Sequence, residues 1–270
     1  MTLIDPVLLK SRLGHLAGRF DVDALAECDS TSSELMRRAD RGAPAGTVIV
    51  ADRQSAGRGR RGRNWLSSPE SSLTFSVLWR FSGNAARLSG LSLAVGVALA
   101  RALEGLGAAG VRLKWPNDVL LQVDGEFAKL AGILIELTSD RRGTQAIIGI
   151  GLNLAAPNEA LPQPVAGLAD AGVGIERHDV LAAILGELAG VLDTFADAGF
   201  SGLQAAWQGY HAWQDLPVHI LGEELTLSGR CLGVDADGTL LLDTGERIER
   251  VFSGDVSLRP AGSTHGVRHT

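Results

Sequence analysis

The sequence predicts an α+β fold: a mixed central β-sheet backed by helices, followed by a small C-terminal β-barrel. Strand and helix patterns alternate through the first part of the chain, which is typical of a sheet covered by helices. From residue 217 onward, short strands are separated by turns about every eight to twelve residues. The hydrophobic content of 45% supports a full core without disulfides. We therefore predict a first domain of residues 1–214, a barrel of residues 215–262 and a tail of residues 263–270.

The elements of the first half follow from hydrophobic spacing and capping residues. Helical periodicity covers residues 6–16. A second helix begins at Thr31, because Thr31 and Glu34 have the spacing of a capping box, and it ends before Gly42. An Ala- and Leu-rich stretch predicts a buried helix over residues 85–106. Short apolar runs predict strands over residues 24–27, 47–51 and 72–79.

The second half continues with strands, two helices and the barrel. Apolar runs predict strands over residues 111–115, 119–123, 131–137 and 145–154. A loop rich in Pro, Ala and Gly follows over residues 155–174, and helical patterns cover residues 178–198 and 200–213. The barrel strands are predicted over residues 218–221, 224–234, 238–242 and 246–252.

Composition and charge exclude several classes of protein. Cys28 and Cys231 lie far apart and in no Cys-x-x-Cys spacing, so they indicate neither a disulfide framework nor a zinc ribbon. The net charge of −6 argues against a nucleic-acid-binding surface over the whole protein. No export signal is visible at the start, and the longest charge-free apolar run, residues 88–100, is shorter than the roughly 20 residues of a membrane span. We expect a cytoplasmic protein that binds neither DNA nor a membrane.

A loop of arginines and glycines is the strongest local signal. Residues 57–63 contain four arginines and three glycines, and Asn64 and Trp65 follow. Glycines let a backbone approach an anion closely, and guanidinium groups bind phosphate or carboxylate oxygens in a bidentate manner. We name residues 57–65 the arginine loop and interpret it as a cover over a polyanionic small molecule.

Three other interpretations of the arginine loop are weaker. The string matches Gly-x-Gly-x-x-Gly, but no helix follows it, so the context of a dinucleotide site is missing. A nucleic-acid patch or targeting signal fits an acidic chain poorly. The third interpretation is a solvated run of charge on the surface of a helix or strand. The three glycines make the segment a poor helix and an unlikely strand, which disfavours it. The sequence also contains no P-loop motif.

Only three of the 25 basic residues are lysines. Two of these lysines flank one predicted hairpin. Lys114 begins the turn Lys-Trp-Pro-Asn-Asp, Lys129 begins Lys-Leu-Ala-Gly-Ile-Leu, and Asp118 lies between them. Where Arg is the common cation, a Lys marks a position that needs a compact ammonium group. A lysine at a phosphate or carboxylate and an aspartate at a magnesium ion occur together in phosphate chemistry.

Taken together, these segments resemble the biotin protein ligases. The matching segments follow the family's order between residues 28 and 260, and are residues 29–32, 54–65, 114–118, 129–136, 149–154 and 257–259. The resemblance implies the biotin/lipoate ligase catalytic fold with an SH3-like C-terminal barrel. It also implies a two-step reaction, in which biotin and ATP give biotinyl-5'-AMP and pyrophosphate. A lysine of the biotin carboxyl carrier protein of acetyl-CoA carboxylase then displaces AMP.

The resemblance also implies a role for each site residue. The implied catalytic residues are Arg58, Arg60 and Lys129. The residues implied to bind biotin are Ser30, Thr31, Ser32, Gln54, Arg58, Gly59, Arg60, Lys129 and Gly132. The residues implied to bind ATP are Arg60, Arg63, Trp65, Lys114, Asn117, Asp118, Asn153 and Arg259. Asp118 is also the implied ligand of Mg²⁺.

The chain departs from the family pattern in three places. Ser32 stands where the family more often has Asn, and the hairpin between Asp118 and Lys129 is slightly long. Only 27 residues precede Cys28, too few for the N-terminal winged-helix DNA-binding domain of bifunctional members. We therefore expect no transcriptional repressor activity. Family members often self-associate through the edge of the central sheet, which leaves a homodimer open.

Three other functions also stay open. A lipoate or octanoate ligase of related fold would need a more apolar acyl pocket. A catalytically inactive biotin sensor would need affinity, but not Arg58, Arg60, Asp118 and Lys129 together. A nucleic-acid-binding protein that uses the arginine loop is disfavoured by the net acidity and by the lack of a second basic or aromatic stripe.

Overall fold

The structure is a computed structural model and describes residues 2–140, 143–157, 161, 163–174, 176–222, 226–254 and 256–261. Over these ranges the chain forms a seven-stranded sheet and a five-stranded sheet together with α-helices. The predicted α+β class is confirmed. The predicted tail, residues 263–270, lies outside the described residues.

The central sheet is mixed, as predicted. Its strands are β1 (Asp21–Cys28), β2 (Thr47–Gln54), β3 (Ser72–Phe81), β4 (Val111–Lys114), β5 (Asp118–Val123), β6 (Glu126–Asp140) and β7 (Gly143–Asn153). Their order is β1-β2-β3-β7-β6-β5-β4. The pair β1–β2 is parallel, and the other neighbouring pairs in this order are antiparallel. A parallel pair needs a crossover, and a helix between β1 and β2 supplies it.

Helices cover both faces of this sheet. They are α1 (Pro6–Leu13), α2 (Thr31–Asp40), α3 (Leu91–Gly105), α4 (Arg177–Ala198) and α5 (Gln204–Tyr210). Successive strand residues point to opposite faces, so Val48 and Val50 join the core that contains α3 and α4. Ile49, between them, packs with Leu35 of α2 in a separate cluster on the other face. The face that α2 covers is therefore distinct from the face of the main core.

The core helix α3 accounts for the most apolar stretch of the chain. By length and composition alone, Ala85–Gly105 is long and apolar enough to cross a membrane. However, 67% of its most apolar window is buried inside the molecule, where α3 packs against α4. This burial is typical of the core helix of a globular domain.

The second sheet is the predicted C-terminal barrel. Its strands are β8 (Pro217–Gly222), β9 (Thr226–Val234), β10 (Leu240–Asp243), β11 (Ile248–Val251) and β12 (Val256–Pro260), in the antiparallel order β11-β10-β9-β8-β12. Four strands were predicted, and β12 was missed because it is only five residues long and ends at Pro260, so its alternating pattern is short. The predicted domain boundary at residue 215 falls just before β8 and stays a prediction.

Buried hydrogen bonds join the barrel to the first domain. The indole Nε1 of Trp115, whose ring is fully buried, donates to the backbone oxygen of Gly238 at 3.1 Å. The side-chain amide of Gln204 donates to the oxygen of Val234 at 2.7 Å. Gly238 has a φ of 78°, and a Cβ there would lie 2.9 Å from the Cα of Gly90. This close approach packs the turn between β9 and β10 against the start of α3.

The predicted capping box of α2 is wrong. The N-cap residue is Ser30, whose backbone oxygen accepts from the N–H of Glu34 at 2.9 Å, and no side chain caps the helix. The Glu34 carboxylate instead accepts from Arg37 and Arg38, at 2.8 Å each. The Thr31 hydroxyl is therefore free to take part in other contacts below the helix.

Candidate active site

One cleft of about 550 Å³ opens on the face of the sheet that α2 covers. Thr74 of β3, Gly151 of β7 and Gly132 of β6 are direct cross-strand neighbours in its floor. The residues implied by the resemblance all line this cleft: Ser30, Thr31, Ser32, Gln54, Arg58, Gly59, Arg60, Arg63, Trp65, Lys114, Asn117, Asp118, Lys129, Gly132, Asn153 and Arg259. Segments far apart in the sequence thus converge on one site, while the individual roles stay predictions.

One end of the cleft is polar and is formed by the first turn of α2 and the end of β2. Ser30, Thr31 and Ser32 are buried, with 3–4% of their surface exposed. The side-chain oxygen of Gln54 accepts from the backbone N–H of Thr31 at 2.8 Å and from its hydroxyl at 3.2 Å. This end therefore presents hydroxyl and amide groups that are already held in place by hydrogen bonds.

Ser76 of β3 lies directly beneath this polar end and was not predicted. Its hydroxyl is 2.8 Å from that of Thr31 and 3.0 Å from that of Ser32. The sequence does carry a signal for it, because Ser72, Thr74 and Ser76 alternate with apolar residues within β3. Residues two apart in a strand share a face, so this alternation places a polar stripe on the cleft side.

The arginine loop folds back on itself. The N–H of Gly59 donates to the oxygen of Arg63 at 2.7 Å, and the N–H of Trp65 donates to the oxygen of Gly57 at 2.9 Å. A Cβ at Gly57 would lie 2.4 Å from the Trp65 oxygen, so this turn requires glycine. Arg61 has a φ of 60°, a conformation that few residues other than glycine adopt.

Side chains tie the arginine loop to three other segments. Arg58 forms a 2.6 Å ion pair with Glu136 of β6, a residue that was given no role in the sequence analysis. Arg60 donates to the side-chain oxygen of Asn117 at 3.1 Å and to the backbone oxygen of Gly254 at 2.7 Å. These contacts connect the loop to the sheet, to the Lys-Trp-Pro-Asn-Asp turn and to the barrel. The loop is therefore held over the cleft.

A cluster of three charges also lines the cleft. The Nζ of Lys129 is 2.6 Å from the Oδ1 of Asp118, and the Nζ of Lys114 is 3.6 Å from its Oδ2. Burial alone would raise the pKa of Asp118, but the charges of Lys129 and Lys114 outweigh it and hold this pKa below its usual range. Burial lowers the pKa of Lys114, and Asp118 opposes that shift. Two cationic groups surround one carboxylate, which suits the binding of an anion.

A β-bulge aims Lys129 into this cluster. Val119 pairs with Ala131, but the next residue, Leu120, pairs with Lys129. Leu130 is therefore the extra residue, and it is buried in the core. A bulge changes the direction in which neighbouring side chains point. Lys129 consequently reaches the cleft rather than the face that a regular strand would give it.

The described residues do not fit a resident metal ion. Asp118 is the one carboxylate among the residues lining the cleft, and lysines contact both of its oxygens. Within the described ranges, no group of three or more His, Cys, Asp or Glu side chains could hold a metal. Mg²⁺ requires about six oxygen ligands in near-octahedral geometry. Contact of Asp118 with a Mg²⁺ ion that arrives on ATP stays a prediction.

Trp65 lies flat on the glycines of the cleft floor. A Cβ at Gly151 would lie 2.2 Å from the indole ring, and a Cβ at Gly132 would lie 3.1 Å from it. The indole Nε1 is buried and has no hydrogen-bond partner among the described residues. The Nζ of Lys129 lies 5.6 Å from the ring centroid. These two glycines leave the space that the indole ring occupies. The indole Nε1 of Trp65 is a hydrogen-bond donor that remains available at the site.

Asn153 and Arg259 complete the lining from opposite sides. The side-chain nitrogen of Asn153 donates to the backbone oxygens of Ala166 at 3.2 Å and Lys129 at 3.4 Å, so it holds the loop after β7 to β6. Arg259 lies on β12, and its charge adds to the lowering of the Lys114 pKa. The barrel thus contributes positive charge to the cleft.

The family models and the relatives that match this chain agree with one another. Residues 26–153 match the Biotin/lipoate A/B protein ligase family, and residues 217–259 match the Biotin protein ligase C terminal domain. The chain is 35% identical over 267 residues to the bifunctional ligase/repressor BirA of Escherichia coli, which covers 96% of this chain and 81% of that protein. It is 32% identical over 256 residues to the biotin–[acetyl-CoA-carboxylase] ligase of Mycobacterium tuberculosis, which covers 90% of this chain and 91% of that protein.

The fold also has solved counterparts. The structure is similar to that of a biotin protein ligase from Aquifex aeolicus in complex with biotin and ATP, with a TM-score of 0.75 and 32% identity. The similarity covers 89% of this chain and 99% of that one. The central sheet and the barrel therefore recur together in a known architecture.

Proposed function

Because this chain belongs to the biotin/lipoate A/B protein ligase family, we propose that it is an ATP-dependent biotin ligase that modifies a biotin carboxyl carrier protein. It activates biotin as biotinyl-5'-AMP and transfers the biotinyl group to a lysine of the carrier. The observation that carries this proposal is the polarity of the cleft. Hydroxyl and amide groups lie at one end, near Thr31 and Gln54, and positive charge lies at the other, near Lys129 and the arginine loop.

The polar end of the cleft suits the ureido ring of biotin. A cyclic urea presents two N–H donors and one carbonyl acceptor, and it binds well only where partners for both are in place. The buried Ser30 and Thr31 and the half-buried Gln54 supply polar groups there. A lipoyl or octanoyl group has no such groups, and it would leave these polar atoms unpaired. The polar end therefore favours biotin over the alternative acids.

The positive groups serve the first step. A biotin carboxylate oxygen attacks the α-phosphorus of ATP, the bond from that phosphorus to the bridging oxygen breaks, and pyrophosphate leaves. Two anions must approach each other, so the barrier falls when fixed positive charge surrounds them. Lys129, held 2.6 Å from Asp118, and the guanidinium groups of Arg58 and Arg60 provide that charge. Their positions are set before the substrates enter.

The second step transfers the biotinyl group. The neutral amine of a carrier lysine attacks the acyl carbon, the bond to the phosphate oxygen breaks, AMP leaves and the amine loses one proton. The adenylate must meanwhile be kept from water. The arginine loop is suited to that task, because its contacts with Glu136, Asn117 and Gly254 hold it over the cleft.

Several finer features belong to the same proposal. ATP enters as its Mg²⁺ complex, since Mg²⁺ keeps phosphate and water ligands and the residues that the structure describes offer no cage for it. The partner protein is a biotin carboxyl carrier protein of acetyl-CoA carboxylase, which the name of the Mycobacterium tuberculosis relative supports. The unpaired Cys28 and Cys231 suit a reducing cytoplasm. A homodimer stays a prediction.

Transfer to a carrier domain tests the proposal. The chain is incubated with biotin, ATP, Mg²⁺ and a purified biotin carboxyl carrier domain, and the carrier is examined by intact mass spectrometry. We expect the carrier mass to increase by one biotinyl group on one lysine. A carrier that gains a lipoyl or octanoyl group instead, or stays unmodified while the adenylate forms, would contradict the assigned substrates.

A further inference from the structure

We propose that Ser76 is a positioning residue for ureido recognition: by donating to the Thr31 oxygen, it helps to keep the Thr31 hydroxyl proton on Gln54 and so leaves an acceptor for an N–H of the ring. Ser76 does not line the cleft, and it acts through Thr31 rather than by touching substrate. The inference rests on the proposed function, because it concerns how that function's substrate is held.

The backbone places three hydroxyl groups in one buried row. Ser76 is fully buried and is the direct cross-strand neighbour of Gly149 on β7. A Cβ at Gly149 would lie 2.6 Å from the Oγ of Ser32, so only glycine leaves room for that hydroxyl. The Oγ of Ser32 consequently reaches the Oγ of Ser76 at 3.0 Å, and Ser76 reaches the Oγ1 of Thr31 at 2.8 Å.

The order of donors follows from Gln54. The backbone N–H of Thr31 donates to the Gln54 side chain at 2.8 Å, so the contacted atom is the amide oxygen, which can only accept. The Thr31 hydroxyl, 3.2 Å from the same oxygen, is therefore also a donor. Because that proton is used, Ser76 donates to Thr31, and Ser32 in turn donates to Ser76. The protons run in one direction, from Ser32 to Gln54.

This order determines what the Thr31 oxygen offers a ligand. A hydroxyl oxygen has one proton and two acceptor positions. In Thr31 the proton points to Gln54 and Ser76 occupies one acceptor position, which leaves the second for a donor in the cleft. A ring N–H is such a donor. Without Ser76, the direction of the Thr31 hydroxyl rests on its long contact with Gln54, at 3.2 Å. The hydroxyl can then rotate its own proton toward the ligand, where it opposes the ring N–H.

The same network gives Ser32 a role. Its side chain stands at the start of α2, and its hydroxyl is the first donor in the row rather than a partner that must contact the ring. Loss of Ser32 should therefore act through Ser76. The two substitutions together should weaken biotin binding by little more than the Ser76 substitution alone.

Steady-state kinetics of Ser76→Ala test the proposal on the full chain. The biotin-dependent exchange of pyrophosphate into ATP is measured as a function of biotin and of ATP. Loss of one hydrogen bond from the network should raise KM for biotin by about 3- to 10-fold. KM for ATP and kcat should not change, because Lys129 and the arginine loop are untouched. Dethiobiotin, which keeps the ureido ring, should show the same increase.

Two further variants separate positioning from loss of stability. Thr144→Val removes another buried hydroxyl, at the far end of β7, where it donates to the oxygen of Gly83 at 3.0 Å. It should leave KM for biotin unchanged. Ser76→Cys keeps nearly the same volume but replaces a strong donor by a weak one, so it should raise KM for biotin as Ser76→Ala does.

The outcomes distinguish this proposal from the function on which it rests. If the unsubstituted chain shows no biotin-dependent exchange, the proposed function fails. If it is active and the Ser76 variants keep its KM for biotin, the positioning role is wrong and the function stands. Equal increases in KM for biotin and for ATP, or a parallel effect of Thr144→Val, would also overturn the positioning role.

Discussion

At the scale of single residues, how well the cleft stabilises a developing negative charge depends on where the ammonium group of Lys129 is fixed. The bulge at Leu130 turns Lys129 toward the site, and Asp118 holds its Nζ at 2.6 Å. A charge that is fixed before the reaction costs no reorganisation when negative charge develops. The position of the ammonium group is therefore as important as its sign.

Lys129→Arg tests this dependence on position. Arginine keeps the positive charge but spreads it over a planar fork that cannot occupy the same point. We expect kcat/KM for adenylate formation to fall by about 100-fold or more, the scale of losing one well-placed electrostatic contact. Lys10→Arg makes the same change at an exposed position on α1 and should have no effect. Near-normal adenylation by Lys129→Arg would show that charge alone is sufficient.

Which residues line the cleft could be predicted from the sequence, but how they are held could not. The motifs identified Lys129, Arg58 and the polar end of the cleft, because these residue types suit anions and hydrogen-bonding rings. Ser76 and Glu136 were missed because they contact other side chains rather than a ligand. Ser76 is 45 positions from Thr31 in the chain, and the packing of α2 on β3 brings the two together.

At the scale of elements, the turn between β4 and β5 joins the cleft to the barrel. Asn117 in this turn exchanges two hydrogen bonds with the backbone of Ile133, at 2.9 and 3.0 Å, and accepts a third from Arg60. Trp115 in the same turn donates to the oxygen of Gly238 in the barrel. Movement of this turn would therefore disturb its hydrogen bonds to the arginine loop and to the barrel.

Trp115→Phe should loosen this junction. The substitution removes the indole donor and leaves the buried oxygen of Gly238 without its partner, which costs about 1 to 3 kcal/mol of unfolding free energy. Urea unfolding measures the difference. Trp79→Phe, at a half-buried tryptophan that packs on Phe20, is the matched control and should cost less. Equal stabilities of the Trp115 variant and the unsubstituted chain would mean that this hydrogen bond does not stabilise the junction.

Sequence patterns predicted most elements, and the two errors have different causes. The capping-box spacing at Thr31 was correct as a pattern, but other partners engage both side chains: Gln54 and Ser76 contact Thr31, and two arginines of the same helix contact Glu34. The strand β12 is only five residues long and ends at Pro260, so its apolar and polar residues alternate over too short a run to stand out.

At the scale of the whole molecule, a buried histidine lies where the two domains meet. His211 follows α5, stacks on Trp207 at 4.6 Å and lies 3.9 Å from the Sγ of Cys231 on β9. Burial lowers the pKa of His211 to about 4, and Gln214 opposes that shift only in part. The imidazole is therefore neutral in the folded protein at neutral pH.

This shift predicts how stability depends on pH. Between about 4, the folded pKa, and 6.5, the ordinary value, the unfolded chain binds a proton that the folded chain does not. The unfolding free energy should therefore be highest above pH 6.5 and should fall as the pH is lowered toward 4. The His211 contribution between pH 7 and pH 5 is about 2 kcal/mol.

Urea unfolding at pH 7 and pH 5 measures that contribution. His211→Gln should remove about 2 kcal/mol of the pH dependence. His219→Gln, at a more accessible histidine on β8 that contacts Ser228, should retain it. Identical pH dependences of the His211 variant and the unsubstituted chain would mean that another group controls the acid sensitivity.

The central claim, that the molecule activates biotin in this cleft, is tested most directly by exchange of labelled pyrophosphate into ATP. The reaction contains Mg²⁺ and biotin, lipoate or octanoate as the acid. We expect exchange with biotin and little with the other two acids, because only biotin presents a ring that satisfies Thr31 and Gln54. Tight biotin binding without exchange, or exchange that prefers lipoate or octanoate, would contradict it.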